Sequence, residues 1–408
     1  MKLNIRKAGT EMFDMSNKTR SQRRALRLRP WLVVASLAVL VGMVSASVLS
    51  SAAQTASSPR SGSHASSEIR IRKNVTTLTI TERKEFVDAI VALKQAKSPY
   101  DPSFSYYDQF VQWHKERYAC HADEHMPGTN AMLMIHTGPI FLPWHREFLR
   151  HFENALRDVS GRAITVPYWD WTDPESVNPK NPSAVFRDDF MGGDGNPGDQ
   201  YAVTTGPFKK DGWTLNVRPE GAMWAPSATA YLTRHLGLPQ SLPTKAQVET
   251  VLAVEEYDVP PYNVVSDRGK SFRNALEGNG AGSAMQCGSD GWMALESDLG
   301  TTPAVGSGGS NMHNLIHGWV GGRLSPGAVR PPIRGTMVLP TSPNDPVFFL
   351  HHANIDRLWA AWQAAHSGKT YEPKTGQAGN NADSAMAPFG DVDPRRVEDI
   401  NDLGYRYR

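Results

Sequence analysis

Only two cysteines, Cys120 and Cys287, occur in 408 residues, which excludes a disulfide framework, a zinc ribbon and an iron–sulfur site. Any bound metal must therefore be held by histidine or carboxylate. A surplus of one charge is missing as well, with 43 Lys and Arg against 41 Asp and Glu. There is no basic excess to hold a nucleic acid and no acidic tail. The apolar run from Trp31 to Val44 falls short of the roughly 20 residues needed to cross a bilayer. Hydrophobic residues make up 40%, with 11 Trp and 14 Phe, enough for a sizeable core, so disorder is not the default.

The short apolar run has a context. Arg20, Arg23, Arg24, Arg27 and Arg29 precede it, and small residues follow, ending at Ser51-Ala52-Ala53. A basic region, a short apolar core and a small-residue exit make an export signal over residues 1–53, and Arg23-Arg24 loosely fits a twin-arginine signal with Gln22 in place of Ser or Thr. The expectation is a secreted or exported protein that engages export machinery and loses the signal near Ala53. An uncleaved anchor is the alternative.

Residues 54–81 read as a Ser/Ala-rich leader and entry segment. Residues 82–408 offer no repeat and no convincing linker, so one domain is expected although the length would allow two. Phe86, Ile90 and Leu93 recur at helical spacing from Glu82 onward, and Phe110, Trp113 and Arg117 do so after the break at Ser98-Pro99. A third helix is expected from Pro143 to about Arg157, with Phe148, Leu149, Phe152 and Leu156 on one stripe. A last helix starts at Asp345-Pro346 and reaches about Trp362, with Asp345 as its cap. The stretches 172–230 and 278–310 read as surface loops. The fold class is mainly α: a helical core with long loops and few short strands.

Thirteen histidines are present, and their placement points to a metal. His313 and His317 stand four apart, so on a helix both rings project from one face. His114 lies on the helix before His136 and His145, which bracket Thr137 to Trp144, and His351-His352 fall about two turns into the last helix. Facing helices build metal sites in bundle cores in this way. Imidazole-only ligation suits copper, zinc, iron or nickel, and spacing does not choose among them.

Two longer motifs resemble a known family. His136-Thr-Gly-Pro-Ile-Phe-Leu-Pro-Trp-His145-Arg-Glu-Phe-Leu is similar to the first copper motif of tyrosinases and catechol oxidases. Asn344-Asp345-Pro346, Leu350-His351-His352 and Asp356-Arg357-Leu358-Trp359 resemble the second. Shorter matches are Val166-Pro-Tyr-Trp-Asp-Trp171, Gly206-Pro207-Phe208, Ser271 to Gly278 and Trp319-Val-Gly-Gly322, with a weaker one at Leu403-Gly404-Tyr405. The resemblance implies a four-helix bundle over 82–408 that holds two copper ions, with dioxygen as co-substrate. It assigns His114, His136 and His145 to one copper and His313, His317 and His352 to the other, leaving His351 in the outer shell. His121, His125, His151 and His64 are not expected to be ligands. Asp356 either orients an imidazole or pairs with an arginine.

The resemblance further implies a small phenolic substrate. Glu277 and Asn314 match a glutamate and an asparagine thought to hold a water that takes the phenol proton, which implies o-hydroxylation of monophenols and oxidation of o-diphenols to o-quinones. The long stretch from Glu277 to His313 leaves an o-diphenol or o-aminophenol oxidase without monophenolase activity as a second reading. A non-catalytic oxygen-binding copper protein is a third. Gly318, beside His317, would leave room for a bulky phenol. Family members need a blocking domain or a copper-delivery partner, and a separate copper chaperone is expected here. A Cys120–Cys287 disulfide would suit an exported protein, and whether the two are bonded stays open.

Overall fold

Helix α1, Ile80–Gln95, begins where Thr79 and Glu82 form a capping box, the Thr79 hydroxyl accepting from the Glu82 N–H and the Glu82 carboxylate accepting from the Thr79 N–H. Such a cap contributes about 1 kcal/mol and fixes the start two residues ahead of the expected one. The computed structural model describes residues 69–118, 135–182, 184–221, 224–237, 241–278, 312–325 and 333–408. The expected export signal, most of the leader, His64, Cys120, His121, His125, Cys287 and residues 279–311 lie outside the described residues.

Helices α2 (Tyr106–Tyr118), α3 (Phe141–Ser160), α6 (Met312–Gly321) and α7 (Val347–Ala365) make the core; α4 (Lys245–Leu252) and α5 (Phe272–Glu277) are shorter. Strand β1, Arg70–Arg72, pairs in parallel with β4, Tyr405–Tyr407, and the two-residue strands β2 (Gly195–Asn196) and β3 (Ala202–Val203) form an antiparallel pair. The mainly helical expectation holds. No helix among the described residues is long and apolar enough to cross a membrane.

Helix α3 carries a strong apolar face and ends at Gly161, whose φ of 63° is the left-handed conformation that glycine adopts without strain. Helix α7 is buried on every side from Val347 to Asp356, as befits a central helix. Aromatic stacking joins the two: the Phe152 and Phe349 rings lie 3.4 Å apart at 4°, and Phe148 stacks on Phe349 at 5.8 Å. Each such buried side chain contributes on the order of 1.5–3 kcal/mol.

The stretch 172–230 was expected to be surface loop. Its described residues contain no α-helix, yet Phe208, Trp213 and Trp224 are buried, and the Trp213 indole donates to the Asn344 carbonyl at 2.9 Å. Gly, Pro and Asp density reports backbone irregularity, not burial; aromatic residues spaced without a period still fill the core.

Candidate metal centre

His114 projects from α2, His145 from the first turn of α3, His313 and His317 from one face of α6, and His351 and His352 from α7. His136 lies in the irregular turn before α3, so it is set by turn geometry rather than helical periodicity. All seven are buried. Their ligating atoms fall into two groups, His114, His136 and His145 in one and His313, His317, His351 and His352 in the other, with the atoms of each group within 4.8 Å of one another. The groups face each other: the rings of His145 and His352 stack with centroids 4.3 Å apart, and His136 lies 5.7 Å from His313.

Backbone carbonyls orient the rings. His114 Nδ1 meets the Pro340 carbonyl at 2.7 Å, His145 Nδ1 the Phe141 carbonyl at 2.8 Å, and His317 Nδ1 the Met337 carbonyl at 2.5 Å. A carbonyl only accepts, so each Nδ1 carries the proton and each Nε2 offers its lone pair. The Asn314 amide oxygen accepts from His313 Nδ1 at 2.9 Å in the same way. Close backbone packing supports this arrangement. A Cβ on Gly335 would sit 2.0 Å from the Gly321 carbonyl, so only glycine lets the 3-10 turn carrying Met337 press against the end of α6.

The consequence is a cluster of acceptors with nothing to accept. His313 Nε2 stands 3.0 Å from His317 Nε2 and 3.3 Å from His352 Nε2. With the Nδ1 atoms of His313 and His317 holding the protons, their two Nε2 lone pairs repel at 3.0 Å unless a cation lies between them. In the other group, His114 Nε2 and His145 Nε2 are buried without a hydrogen-bond partner. Such orphaned nitrogens in a buried, carboxylate-free cluster fit two metal ions well. His351 falls in the group of His313 and His317 with neither nitrogen partnered, its ring 5.2 Å from Trp171. His352 belongs to the same group as His313 and His317, with its Nε2 3.3 Å from His313 Nε2.

Burial keeps these rings neutral. It pushes His114 down to about 3 and His317 down to about 4, although the Pro340 and Met337 carbonyls pull the other way. Burial, with the neighbouring imidazoles, also lowers His136, His145, His313, His351 and His352 well below their ordinary values. In the metal-free protein the unfolded chain therefore takes up protons below about pH 6.5 while the folded chain does not. Stability is fully present above that pH and is lost as the pH falls towards the folded-state values, by up to about 1.4 kcal/mol per pH unit for each histidine. Thermal melts of metal-free protein should show a clear drop in Tm from pH 7.5 to about pH 5; an unchanged Tm would contradict buried neutral histidines.

Glu277 ends α5 and is 1% exposed, not the surface helix end that its position beside a glycine allowed. Its carboxylate accepts from the backbone N–H of Thr137, the residue after His136, and from Arg273 Nη1 at 3.0 Å. The Thr137 φ of 63° is uncommon for a β-branched residue, and the Glu277 carboxylate helps hold it there. Asn314 is half-buried beside His313, and Gly318 is buried in α6. Sequence reasoning passed over Tyr118, whose half-buried ring lies 5.2 Å from His136.

The remaining expectations resolve away from the centre. Asp345 lies one residue before the N-cap of α7, which is Pro346; it accepts from the Val347 N–H at 3.1 Å and takes a bidentate ion pair from buried Arg234, both contacts 2.7 Å. Asp356 pairs with Arg146 and Arg72 and accepts from the Tyr405 and Tyr407 hydroxyls, not from an imidazole. Burial raises its pKa, but those two charges and two tyrosine hydroxyls outweigh burial and hold the carboxyl below its ordinary range. His151 bonds Glu147 at 3.1 Å and stacks on Phe389, outside both groups.

Two facing clusters of neutral imidazoles in a helical core define a dinuclear metal protein. A family model described as the common central domain of tyrosinase matches residues 96–365. The chain is 35% identical over 333 residues to a tyrosinase of Streptomyces lincolnensis, covering 81% of this chain and 96% of that one. It is 36% identical over 312 residues to grixazone synthase of Streptomyces griseus, covering 73% and 85%. Its fold is similar to that of a polyphenol oxidase from Thermothelomyces thermophila, with a TM-score of 0.55 at 23% identity over 83% of this chain and 89% of that one. The chain belongs to the tyrosinase family. It is a tyrosinase-like oxidoreductase of the type-3 copper class, and its two histidine clusters fit the dinuclear copper centre of that family.

Proposed function

We propose that this protein o-hydroxylates monophenols and oxidises o-diphenols to o-quinones with dioxygen, with His114, His136 and His145 holding one copper and His313, His317 and His352 the other. The observation that carries the reading is the pairing of each cluster with a polar group: Glu277 on the N–H of Thr137, next to His136, and Asn314 on His313. A bound copper pair would supply the binding and reduction of dioxygen. The chain supplies the rest. Pro340, Phe141 and Met337 fix the ring orientations, and the buried apolar walls formed by Phe141 and Phe348 against the imidazoles keep the centre dry. A monophenol, with a pKa of about 10, must lose its hydroxyl proton before it can be attacked, and Glu277 and Asn314 are assigned to hold the water that takes it. An o-diphenol makes a smaller demand on such a base.

One observation favours the narrower reading, an oxidase of o-diphenols or o-aminophenols without monophenolase activity. Both Glu277 oxygens are engaged, one by Thr137 and one by Arg273, which weakens the carboxylate as a base. A panel of monophenols, catechols and o-aminophenols against the copper-loaded protein separates the two. Glu277→Gln is expected to cut monophenol turnover by about 10²–10⁴-fold while catechol oxidation stays within about threefold. If the parent protein oxidises catechols and never a monophenol, the tyrosinase reading fails. Export across the cytoplasmic membrane and delivery of copper by a separate chaperone complete the proposal; the arginine-flanked apolar run at Trp31–Val44 motivates the first.

A further inference from the structure

Arg146 directly follows His145 on α3, and Asp356 lies one helical turn after His352 on α7. Both are buried, and Arg146 Nε donates to Asp356 Oδ1. The second Asp356 oxygen accepts from Arg72 Nη1 at 3.2 Å, from the Tyr405 hydroxyl at 2.6 Å and from the Tyr407 hydroxyl. Arg72 Nε in turn donates to Glu153 Oε2 at 2.9 Å, returning the network to α3 two turns beyond Arg146. Two guanidinium groups and two carboxylates thus balance inside the protein. Rings confine the cations: Arg72 lies 3.8 Å over Tyr405 and Arg146 3.6 Å over Trp359. Arg146 Nη1 also donates to the Val397 and Glu398 carbonyls at 3.0 and 2.7 Å.

A buried ion network is a weak source of net stability compared with apolar packing of equal volume, but its bonds are directional and tolerate little slip. This one joins α3 to α7 one residue from His145 and one turn from His352, the two rings that stack across the centre at 4.3 Å. We infer that Asp356, Arg146 and the hydroxyls of Tyr405 and Tyr407 are positioning residues that set the spacing between the two copper triads. The inference rests on the ligand assignment proposed above. The strand pair β1–β4 serves as the brace: Arg72 and Tyr407 are in register across it, so the network is closed from outside the helical core. Neither tyrosine touches a ligand histidine, so any effect on the centre must pass through Asp356.

The variants Tyr405→Phe, Tyr407→Phe and their combination keep the rings over Arg72 and remove only the hydroxyls; Asp356→Asn removes the charge. Copper per chain, the electron paramagnetic resonance of the oxidised dicopper form and steady-state catechol kinetics are to be measured together. Ile90→Ala, a buried change in α1 outside the network, controls for simple loss of stability. The double tyrosine variant should keep two coppers per chain and KM within about twofold. Its kcat should fall at least about tenfold, since a misplacement near 1 Å can cost 10²-fold. A resonance from magnetically uncoupled copper should appear that Ile90→Ala lacks. A double variant that keeps two coppers, stays silent and retains the parent kcat overturns the inference, even if Asp356→Asn fails to fold. Failure of the ligand assignment would look different, as full copper occupancy in His145→Ala or His352→Ala.

Discussion

Replacing His352 with alanine is expected to leave about one copper per chain instead of two and to reduce catechol oxidation by at least about 10³-fold, roughly 4 kcal/mol of barrier. His313 Nε2 and His317 Nε2, 3.0 Å apart, remain as a two-ligand site with a void where the third ring stacked on Phe348 at 4.1 Å. Two imidazoles do not hold copper against dilution as three do, and a centre short of one metal would lose the chemistry that the pair supplies. The same loss is expected for His145→Ala in the other triad. His151→Ala, which removes a ring bonded to Glu147 outside the centre, should leave both coppers and the rate unchanged. Metal quantification after gel filtration is the deciding measurement: two coppers per chain in His352→Ala would refute the assignment, and His351 would become the candidate third ligand.

The second large effect concerns folding. Arg234→Met should destabilise the protein by about 3–5 kcal/mol, because it leaves the Asp345 carboxylate buried without its bidentate partner. Arg234 Nη1 also donates to the Met191, Gly192 and Gly193 carbonyls at 3.0 to 3.1 Å, so the same change strands three acceptors. Urea denaturation of the metal-free protein measures the loss. Arg234→Met combined with Asp345→Leu should be less destabilised than Arg234→Met alone, since the uncompensated charge is gone. A loss under about 1 kcal/mol in the single variant would mean that water reaches the pair.

The clustered histidines and the helices that carry most of them were legible because their signals are local. His313 and His317 declare a shared helical face by spacing, and the strings around His145 and His352 are long enough to name a family. Cap chemistry placed the start of α7 within a residue or two, and the apolar stripe placed α3. The partners of those histidines were not legible. Pro340 and Met337 act through backbone carbonyls, which any residue possesses, and Pro340 reaches His114 across 226 positions. Arg234 meets Asp345 across 111 positions, and neither residue's neighbourhood hints at the other. Glu277 is an instructive middle case. Its ion pair with Arg273, four residues earlier on the same helix, is a spacing the sequence displays, but its burial against Thr137 depends on how α5 meets the turn before α3.

The carbonyls of Met337 and Pro340 give the centre a common frame of reference. Four consecutive positions of one irregular segment address an imidazole of each triad, His317 and His114, while a third carbonyl just beyond, on Pro343, accepts from the Tyr107 hydroxyl at 2.6 Å. One imidazole of each cluster is thus oriented against the same short stretch of backbone. A change in that stretch that altered no ligand would tilt a ring in both triads at once, so residues 337–340 are a place where sequence drift can retune the dinuclear centre while all six proposed ligands stay in place.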